Sequence, residues 1–286
     1  MAIIKNDYLK TDGLQLEIDA ISTLLGDAVR QFESLSYEEF VEKFIIRHDG
    51  IEFKDCLKYL KEKSEILDVG AGYGQSSLFL AMQGHTVSVV EPSPEYCQCI
   101  ETMSKKFGVT ITSYESSIEA LKTDQKFDAC IFNASLHHCD DPYLAVKKCV
   151  GMLKDDGKIF LINEQVIRFY KSKKQYYRSL IENPGKTGHY GGNEHVYRYF
   201  EYLSMLRKAS IRKIIEKVPA YYLNPKILLK QAIEFRSFDG YEHSAFNIVL
   251  RAIWYYILSK VLGIKVILFI ASRLSLINCT IIGIKN

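Results

Sequence analysis

The residues best suited to chemistry lie in the run ILDVGAGYGQSS, where Asp68 is followed by Gly70, Gly72 and Gly74 at every second position. The run leaves a buried-type strand and enters a helix-like segment, the context in which a glycine-rich turn is informative. Glycine lets the chain turn tightly and lets backbone approach a ligand closely. The spacing is not that of a dinucleotide turn. In G-x-G-x-x-G counted from Gly70 the third glycine would fall at Gln75, and here it stands at Gly74. A carboxylate two positions ahead of the first glycine would repel a pyrophosphate, and it suits a ligand with an ammonium group and no phosphate. A second acid, Glu91, closes the strand-like run TVSVVE, 21 residues past Gly70. Nucleotide-binding βαβ units place there the acid that accepts hydrogen bonds from ribose hydroxyls.

Histidine supplies the other candidate chemistry, because its pKa lies near neutrality and fits a general base. His137 and His138 follow a strand-like run in FNASLHHCDDP, beside the candidate lining residues Asn133, Ala134 and Leu136. His189 and His195 lie in TGHYGGNEHVY, a stretch able to reach over the same edge. His48 and His85 read as structural, His85 sitting in the turn before TVSVVE. His137, His138, Cys139, Asp140 and Asp141 are rich in metal-ligating groups. Adjacent side chains rarely converge, however, and Asp141-Pro142 reads as a helix start, so no metal is expected.

Elements that must position these groups follow from periodicity. Residues 1–60 carry apolar residues at three- and four-residue spacing and read as an N-terminal helical cap. Residues 61–165 alternate strand candidates (65–69, 86–91, 109–114, 127–133 and 158–163) with helical runs, which argues a parallel sheet with helices on both faces. Residues 166–286 read as a long loop over KSKKQYYRSLIENPGKTGHYGGNEH, a helix in NEHVYRYFEYLSMLRKA, a strand near 211–218, a mostly helical stretch and a final strand in NCTIIGIKN. The expected fold class is therefore α/β: a Rossmann-like parallel sheet with an antiparallel final edge strand, N-terminal helices and a mostly helical C-terminal addition.

Residues 64–165 resemble the core of class I S-adenosylmethionine-dependent methyltransferases, in particular the broad UbiE-like group. The motifs that carry the likeness are Asp68 with its glycine turn, Glu91, the LHH…DP segment and KDDGKIFLINE. The resemblance implies that Asp68, Gly70, Ala71, Gly72 and Gly74 hold the methionine part of the cofactor and Glu91 with Pro92 its ribose. Ser117 and Ile118 stand where the family commonly offers Asp and Ala to adenine, and Asn133 and Ala134 face the sulfonium. The cofactor implied is S-adenosyl-L-methionine, with S-adenosyl-L-homocysteine as product, and it also meets the demand for a cationic, phosphate-free nucleoside. His137, His138 and His195 are the candidate catalytic residues.

Composition sets the remaining bounds. An apolar fraction of 48% with 25% charged residues is a soluble globular balance. A net charge of +3 over 286 residues gives no electrostatic reason to expect a nucleic-acid partner. Seven scattered cysteines without a CxxC pair read as reduced thiols, and MAIIKNDYLK lacks a signal peptide's apolar stretch, so a cytoplasmic location is expected. Lys and Arg interrupt the apolar stretch 245–271, which reads as a buried helical pair. Trp254, Tyr255 and Tyr256 would also suit peripheral membrane contact. Tyr190, Tyr197, Tyr221, Tyr222 and Arg236 are candidate lining groups for an acceptor. The expected reaction is O-methylation of a small polar acceptor, such as a saccharide or its activated precursor. A lipid or quinone methyltransferase at a membrane surface, an NAD-linked oxidoreductase and a non-catalytic subunit of the same fold are the alternatives; oligomeric state is left open.

Overall fold

The computed structural model describes residues 3–5, 26–46, 48–182, 195–217 and 279–285, with scattered positions in 15–22 and 257–274. Among the described residues eight strands form one sheet. They are β1 (Ile3–Lys5), β2 (Glu65–Val69), β3 (Thr86–Glu91), β4 (Ile111–Glu115), β5 (Phe127–Asn133), β6 (Leu153–Glu164), β7 (Lys213–Lys217) and β8 (Cys279–Ile284), in the spatial order β1-β4-β3-β2-β5-β6-β8-β7. Every pairing from β1 to β6 is parallel. The final strand is antiparallel, as expected, and it lies one place in from the rim, hydrogen-bonded to β6 on one side and to β7 on the other.

The helices are α1 (Gly26–Ser34), α2 (Tyr37–Ile46), α3 (His48–Leu57), α4 (Gln75–Met82), α5 (Pro94–Phe107), α6 (Pro142–Met152), α7 (Lys173–Glu182) and α8 (Tyr199–Lys208). Their ends follow local chemistry. Ser93 caps α5 by accepting from Tyr96 N–H at 3.2 Å, ahead of Pro94, and Gly108 ends the helix at φ 66°. Asp141 caps α6 in the same way, accepting from Leu144 N–H at 2.9 Å. Ser36 and Glu39 exchange capping bonds at the start of α2.

Strand alternation divides the core into two halves. Leu67, Val69, Cys130, Phe132, Ile159, Leu161 and Ile281 face α6 and α8. Ile66, Val87, Val89, Ile131, Phe160 and Ile282 face α4, α5 and the aromatic residues of α1–α3. Burial on both faces is why these runs are continuously apolar rather than alternating.

Two expectations are corrected. The first 60 residues are not wholly helical, because Ile3–Lys5 pairs with β4 along the sheet edge. The stretch after residue 165 is not all loop: Ser172 and Gln175 exchange capping bonds of 3.1 and 2.9 Å and start α7. The strand expected near 211–218 is β7. No helix of the described residues is long and apolar enough to cross a membrane.

Gly283 shows how tightly β8 is inserted. A Cβ there would lie 2.7 Å from Ile211 Cγ2 and 2.9 Å from Ile159 Cγ2. Gly283→Ala is therefore expected to cost about 1–3 kcal/mol by overpacking. In urea titration the midpoint should fall at unchanged slope; an unchanged midpoint would mean that the strand is packed more loosely than described.

Candidate active site

After β2 the chain proceeds outward through β3 and β4, and after β5 it proceeds to β6 on the other side. An open α/β sheet leaves a ligand crevice at such a switch point, beyond the carboxyl ends of the strands. A cleft of about 370 Å³ lies there. The glycine turn after β2, Glu91 and Pro92 after β3, Ser117, Ile118 and Glu119 after β4, and Asn133, Ala134 and Ser135 after β5 all line it. His138, Cys139 and Asp140 join from beyond β5, and Glu17 joins from the N-terminal segment.

The three glycines have positive φ and different tasks. A Cβ at Gly70 would come within 2.8 Å of Ser135 Cβ, and one at Gly74 within 2.5 Å of Ile100 Cγ1, so both are close-packing positions. At Gly72 a Cβ would meet nothing within 4 Å, because that position faces open cleft. The space is what a ligand drawn close to backbone would occupy.

Two buried carboxylates flank the turn. Asp68 accepts from Ser77 Oγ–H at 2.6 Å; burial pushes its pKa up to about 6, against the lowering effect of that bond. Glu91 accepts from Ser93 N–H at 3.0 Å and from Gly72 N–H at 2.9 Å, so it ties the end of β3 to the glycine turn. Burial pushes Glu91 up to about 7; the two N–H groups oppose the rise and the charge of Asp68 adds to it. Asn163 donates to Asn133 Oδ1 at 3.2 Å, and Asn133 donates to Ser76 Oγ at 2.9 Å, a polar chain from β6 to the cleft.

The turn after β5 is held by Glu164, a fully buried carboxylate at the end of β6. Its Oε1 accepts from Ser135 N–H at 3.1 Å and Leu136 N–H at 3.0 Å. Its Oε2 accepts from His137 N–H at 3.3 Å and lies 2.8 Å from His137 Nδ1. Ser135 Oγ–H also donates to Val69 O at 2.5 Å, which fastens the turn to β2. The short 3-10 turn Leu136–His138 is thereby fixed at both ends.

Of the sequence-derived candidates, Asp68, Gly70, Ala71, Gly72, Glu91, Pro92, Ser117, Ile118, Asn133, Ala134 and His138 are brought together around the cleft. Gly74 packs against α5 instead of lining it. His137 and His195 do not line it either: the His137 ring is buried against Glu164, and His195 N–H donates to His137 O at 3.0 Å. Burial lowers the His195 pKa, with Asp140 opposing. The Ser117 hydroxyl accepts from Ala120 N–H at 3.3 Å and so also caps a turn. The ring of Tyr197 lies under Lys173 Nζ at 4.9 Å and away from the cleft lining. His189, Tyr190, Tyr221, Tyr222, Arg236 and the aromatic residues Trp254, Tyr255 and Tyr256 of the 245–271 stretch lie outside the described residues.

Sequence reasoning did not single out Glu17, Glu119, Glu164, Tyr73 or Tyr96. Tyr73 and Tyr96 line the cleft with their rings in an edge contact at 4.9 Å, and Phe32 of α1 packs on Tyr73 at 5.6 Å. Glu17 Oε1 stands 3.7 Å from His138 Nδ1, both side chains largely buried. Among the described residues no cluster of three His, Cys, Asp or Glu side chains is arranged to hold a metal ion.

Comparison with known proteins decides between the chemistries this geometry allows. Residues 67–161 match the methyltransferase domain family. The chain carries a class I S-adenosylmethionine-dependent methyltransferase domain. This methyltransferase domain is 28% identical over 138 residues to a ubiquinone biosynthesis O-methyltransferase of Rickettsia felis, covering 48% of this chain and 54% of that protein. It is 32% identical over 112 residues to the protein of the same name from Xanthomonas axonopodis pv. citri, covering 37% and 47%. The chain thus spans about half the length of the curated relatives it matches.

The methyltransferase fold is shared with a Galdieria sulphuraria protein crystallised under the name sarcosine dimethylglycine methyltransferase, at TM-score 0.55 and 16% identity, over 93% of this chain and 97% of that one. It is shared too with phosphoethanolamine N-methyltransferase 2 of Haemonchus contortus, solved with phosphomonomethylethanolamine and S-adenosylhomocysteine, at TM-score 0.54 and 13% identity over 88% and 60% of the chains. The cofactor is S-adenosylmethionine, and the cleft fits it: open space at Gly72, two acids for a cation and hydroxyls, and no Lys or Arg among the described lining residues. The NAD-linked alternative falls with the family match.

Two predictions follow from the site. Gly72→Val should abolish S-adenosylhomocysteine binding in calorimetry, because the branched side chain enters the cleft and also strains the turn at φ 52°; retained affinity would show that the ligand lies elsewhere. Binding should also depend on pH. Asp68 and Glu91 have raised pKa values when the cleft is empty, so the folded protein holds extra protons as pH falls through 7 and 6. The ligand needs the ionised forms, so binding releases protons below neutrality. Affinity should fall roughly ten- to a hundredfold from pH 7.5 to 5.5, and Glu91→Gln should flatten the upper part of that dependence. A flat profile in the unaltered protein would contradict both carboxylate roles.

Proposed function

We propose that this chain methylates a hydroxyl group of an uncharged acceptor, a hydroxylated aromatic ring of the quinone-precursor class being the best-supported choice. The observation that carries the reading is the charge of the cleft. Glu17, Asp68, Glu91, Glu119 and Asp140 line it, with no lysine or arginine among the described lining residues. An acceptor bearing phosphate or carboxylate would meet repulsions of roughly 2–4 kcal/mol from each carboxylate at about 4–8 Å. This argues against the activated, diphosphate-bearing saccharide, and the relatives named above give a saccharide acceptor no support. The aromatic choice rests on the relatives named ubiquinone biosynthesis O-methyltransferases.

In this reading Asp68, Gly70, Ala71 and Gly72 receive the methionine end of the cofactor, with Gly74 shaping the turn. Glu91 and Pro92 receive the ribose, Ser117 and Ile118 the adenine, and Asn133 and Ala134 border the sulfur. The bound cofactor supplies an electrophilic methyl group on a positively charged sulfur. The chain's own contribution is to orient the acceptor and accept its proton. His138 is the histidine that lines the cleft, and Glu17 stands where it can orient the ring and stabilise its protonated form. The Glu164 clamp keeps His138 at that place.

The test is a transfer assay with labelled S-adenosylmethionine on catechol-type, neutral saccharide and phosphorylated acceptors. Turnover should appear on the catechol type and be weakest on the phosphorylated compounds. His138→Ala should lower kcat by about 10²–10⁴-fold with cofactor affinity kept. Glu17→Gln should shift the acid limb of the pH profile to lower pH, because the ring loses a neighbouring negative charge. Full activity of His138→Ala would remove it as the base, and preference for a phosphorylated acceptor would defeat the electrostatic argument.

A further inference from the structure

We infer that Ser76, with Gln75 and Asn133 beside it, is the seat of the cofactor's α-carboxylate at the start of α4, and that the buried Asn163 orients this seat. The inference rests on the cofactor placement given above, with the amino-acid end of S-adenosylmethionine over the glycine turn. That end carries an ammonium group and a carboxylate on one carbon. Asp68 suits the ammonium. The carboxylate meets no cation, because the described lining residues include five acids and no Lys or Arg. Neutral donors must therefore hold it, since an anion taken out of water without them is costly.

Most neutral donors around the cleft are already spent. Gly70 N–H donates to Val90 O, Gly72 N–H to Glu91 and Gly74 N–H to Ala71 O, each at 2.9 Å. Ala134 N–H donates to Ile162 O at 2.8 Å. Ser135 gives its N–H to Glu164 and its hydroxyl to Val69 O. What is left stands at the start of α4. This helix follows Gly74, and no side chain caps it. The first N–H groups of a helix have no partner within it, and the helix dipole favours an anion there. Ser76 lines the cleft, is 6% exposed, and its Oγ accepts from Asn133 Nδ2 at 2.9 Å. Its own hydroxyl hydrogen is then free to donate. Gln75 and Asn133 line the same part of the cleft.

Asn163 decides which way the Asn133 amide faces. It is 3% exposed and lies behind the cleft lining, at φ 57°, a left-handed conformation that asparagine tolerates. Its Nδ2 donates to Asn133 Oδ1 at 3.2 Å. With that oxygen engaged from β6, the two hydrogens of Asn133 Nδ2 face the other way. One goes to Ser76 Oγ and the second remains for a ligand. Asn163 is therefore a positioning residue, acting through Asn133. The neighbouring Ser77 hydroxyl already serves Asp68. The first turn of α4 thus supports both charges of the amino-acid end, Ser77 through Asp68 for the ammonium and Ser76 directly for the carboxylate.

The experiment is calorimetry of the full chain with two ligands: S-adenosylhomocysteine, and its decarboxylated analogue, the same thioether with hydrogen in place of the carboxylate. The unaltered protein should bind the first more tightly. Ser76→Ala should weaken S-adenosylhomocysteine by about ten- to a hundredfold and leave the analogue unchanged, which also reports an intact fold. Asn163→Asp keeps the backbone conformation, but once ionised its side chain can only accept, so Asn133 must turn its N–H groups toward β6. S-adenosylhomocysteine should then weaken by about fivefold or more, increasingly so as pH rises and the new carboxyl ionises, while the analogue keeps its affinity. Equal losses for both ligands in Ser76→Ala overturn the inference, as does full S-adenosylhomocysteine affinity in that variant. Unchanged discrimination in Asn163→Asp at high pH overturns the orienting role. If neither ligand binds the unaltered protein, the cofactor placement itself falls and this seat falls with it.

Discussion

A carboxylate that never meets water holds the working end of this molecule together. Glu164 closes β6, accepts from three successive backbone N–H groups of the turn after β5 and engages the Nδ1 of His137. Three backbone donors, with the His137 ring nitrogen facing the same carboxyl group, offset the cost of its burial. Each donor left without it would be a buried polar group with no partner, at about 1–3 kcal/mol apiece. The clamp sets where Ser135 stands, and Ser135 in turn sets how little room there is at Gly70. The glycine turn and the histidine turn are therefore one unit, although 66 residues separate Val69 from Ser135.

The cleft beside that unit is electrostatically unfinished. Two carboxylates, Asp68 and Glu91, are buried beside each other without a cationic partner among the lining residues, and both resist ionisation as a result. Holding them there lowers the stability of the empty protein as pH rises from the unfolded-state carboxylate range through about 6 and 7, because the folded chain keeps protons that the unfolded chain gives up. A ligand that brings an ammonium group, a sulfonium and ribose hydroxyls reverses the penalty.

Much of this is legible in the sequence itself. β2, β3 and β5 run over the residues expected from the sequence, since strands buried on both faces leave uninterrupted apolar runs bounded by Gly, Asp and Pro. Asp68 and Glu91 were readable because a carboxylate beside a glycine turn, and another ending the next strand, are local patterns. Glu164 and Glu17 were not. Nothing in KIFLINE distinguishes a clamp from a strand-ending charge; only the fold brings residue 164 to the amides of 135–137. Glu17 meets His138 across 121 positions of sequence. The start of α7 was hidden by polar and basic residues, although Ser172 and Gln175 carry its capping signal, and β1 is too short for periodicity to register.

The two sides of the cleft thus rest on different kinds of information. The first is written in contiguous motifs within 67–161, which is also where the family match lies. The second also draws on elements outside that span. α1 braces the lining tyrosines through Phe32, and the N-terminal segment carries Glu17. A fold of this kind can keep its cofactor chemistry constant while the flanking segments change what is presented to the methyl group. Under the proposed function, acceptor choice would then rest on the additions to the sheet, through the contact between Glu17 and His138 beside the turn held by Glu164.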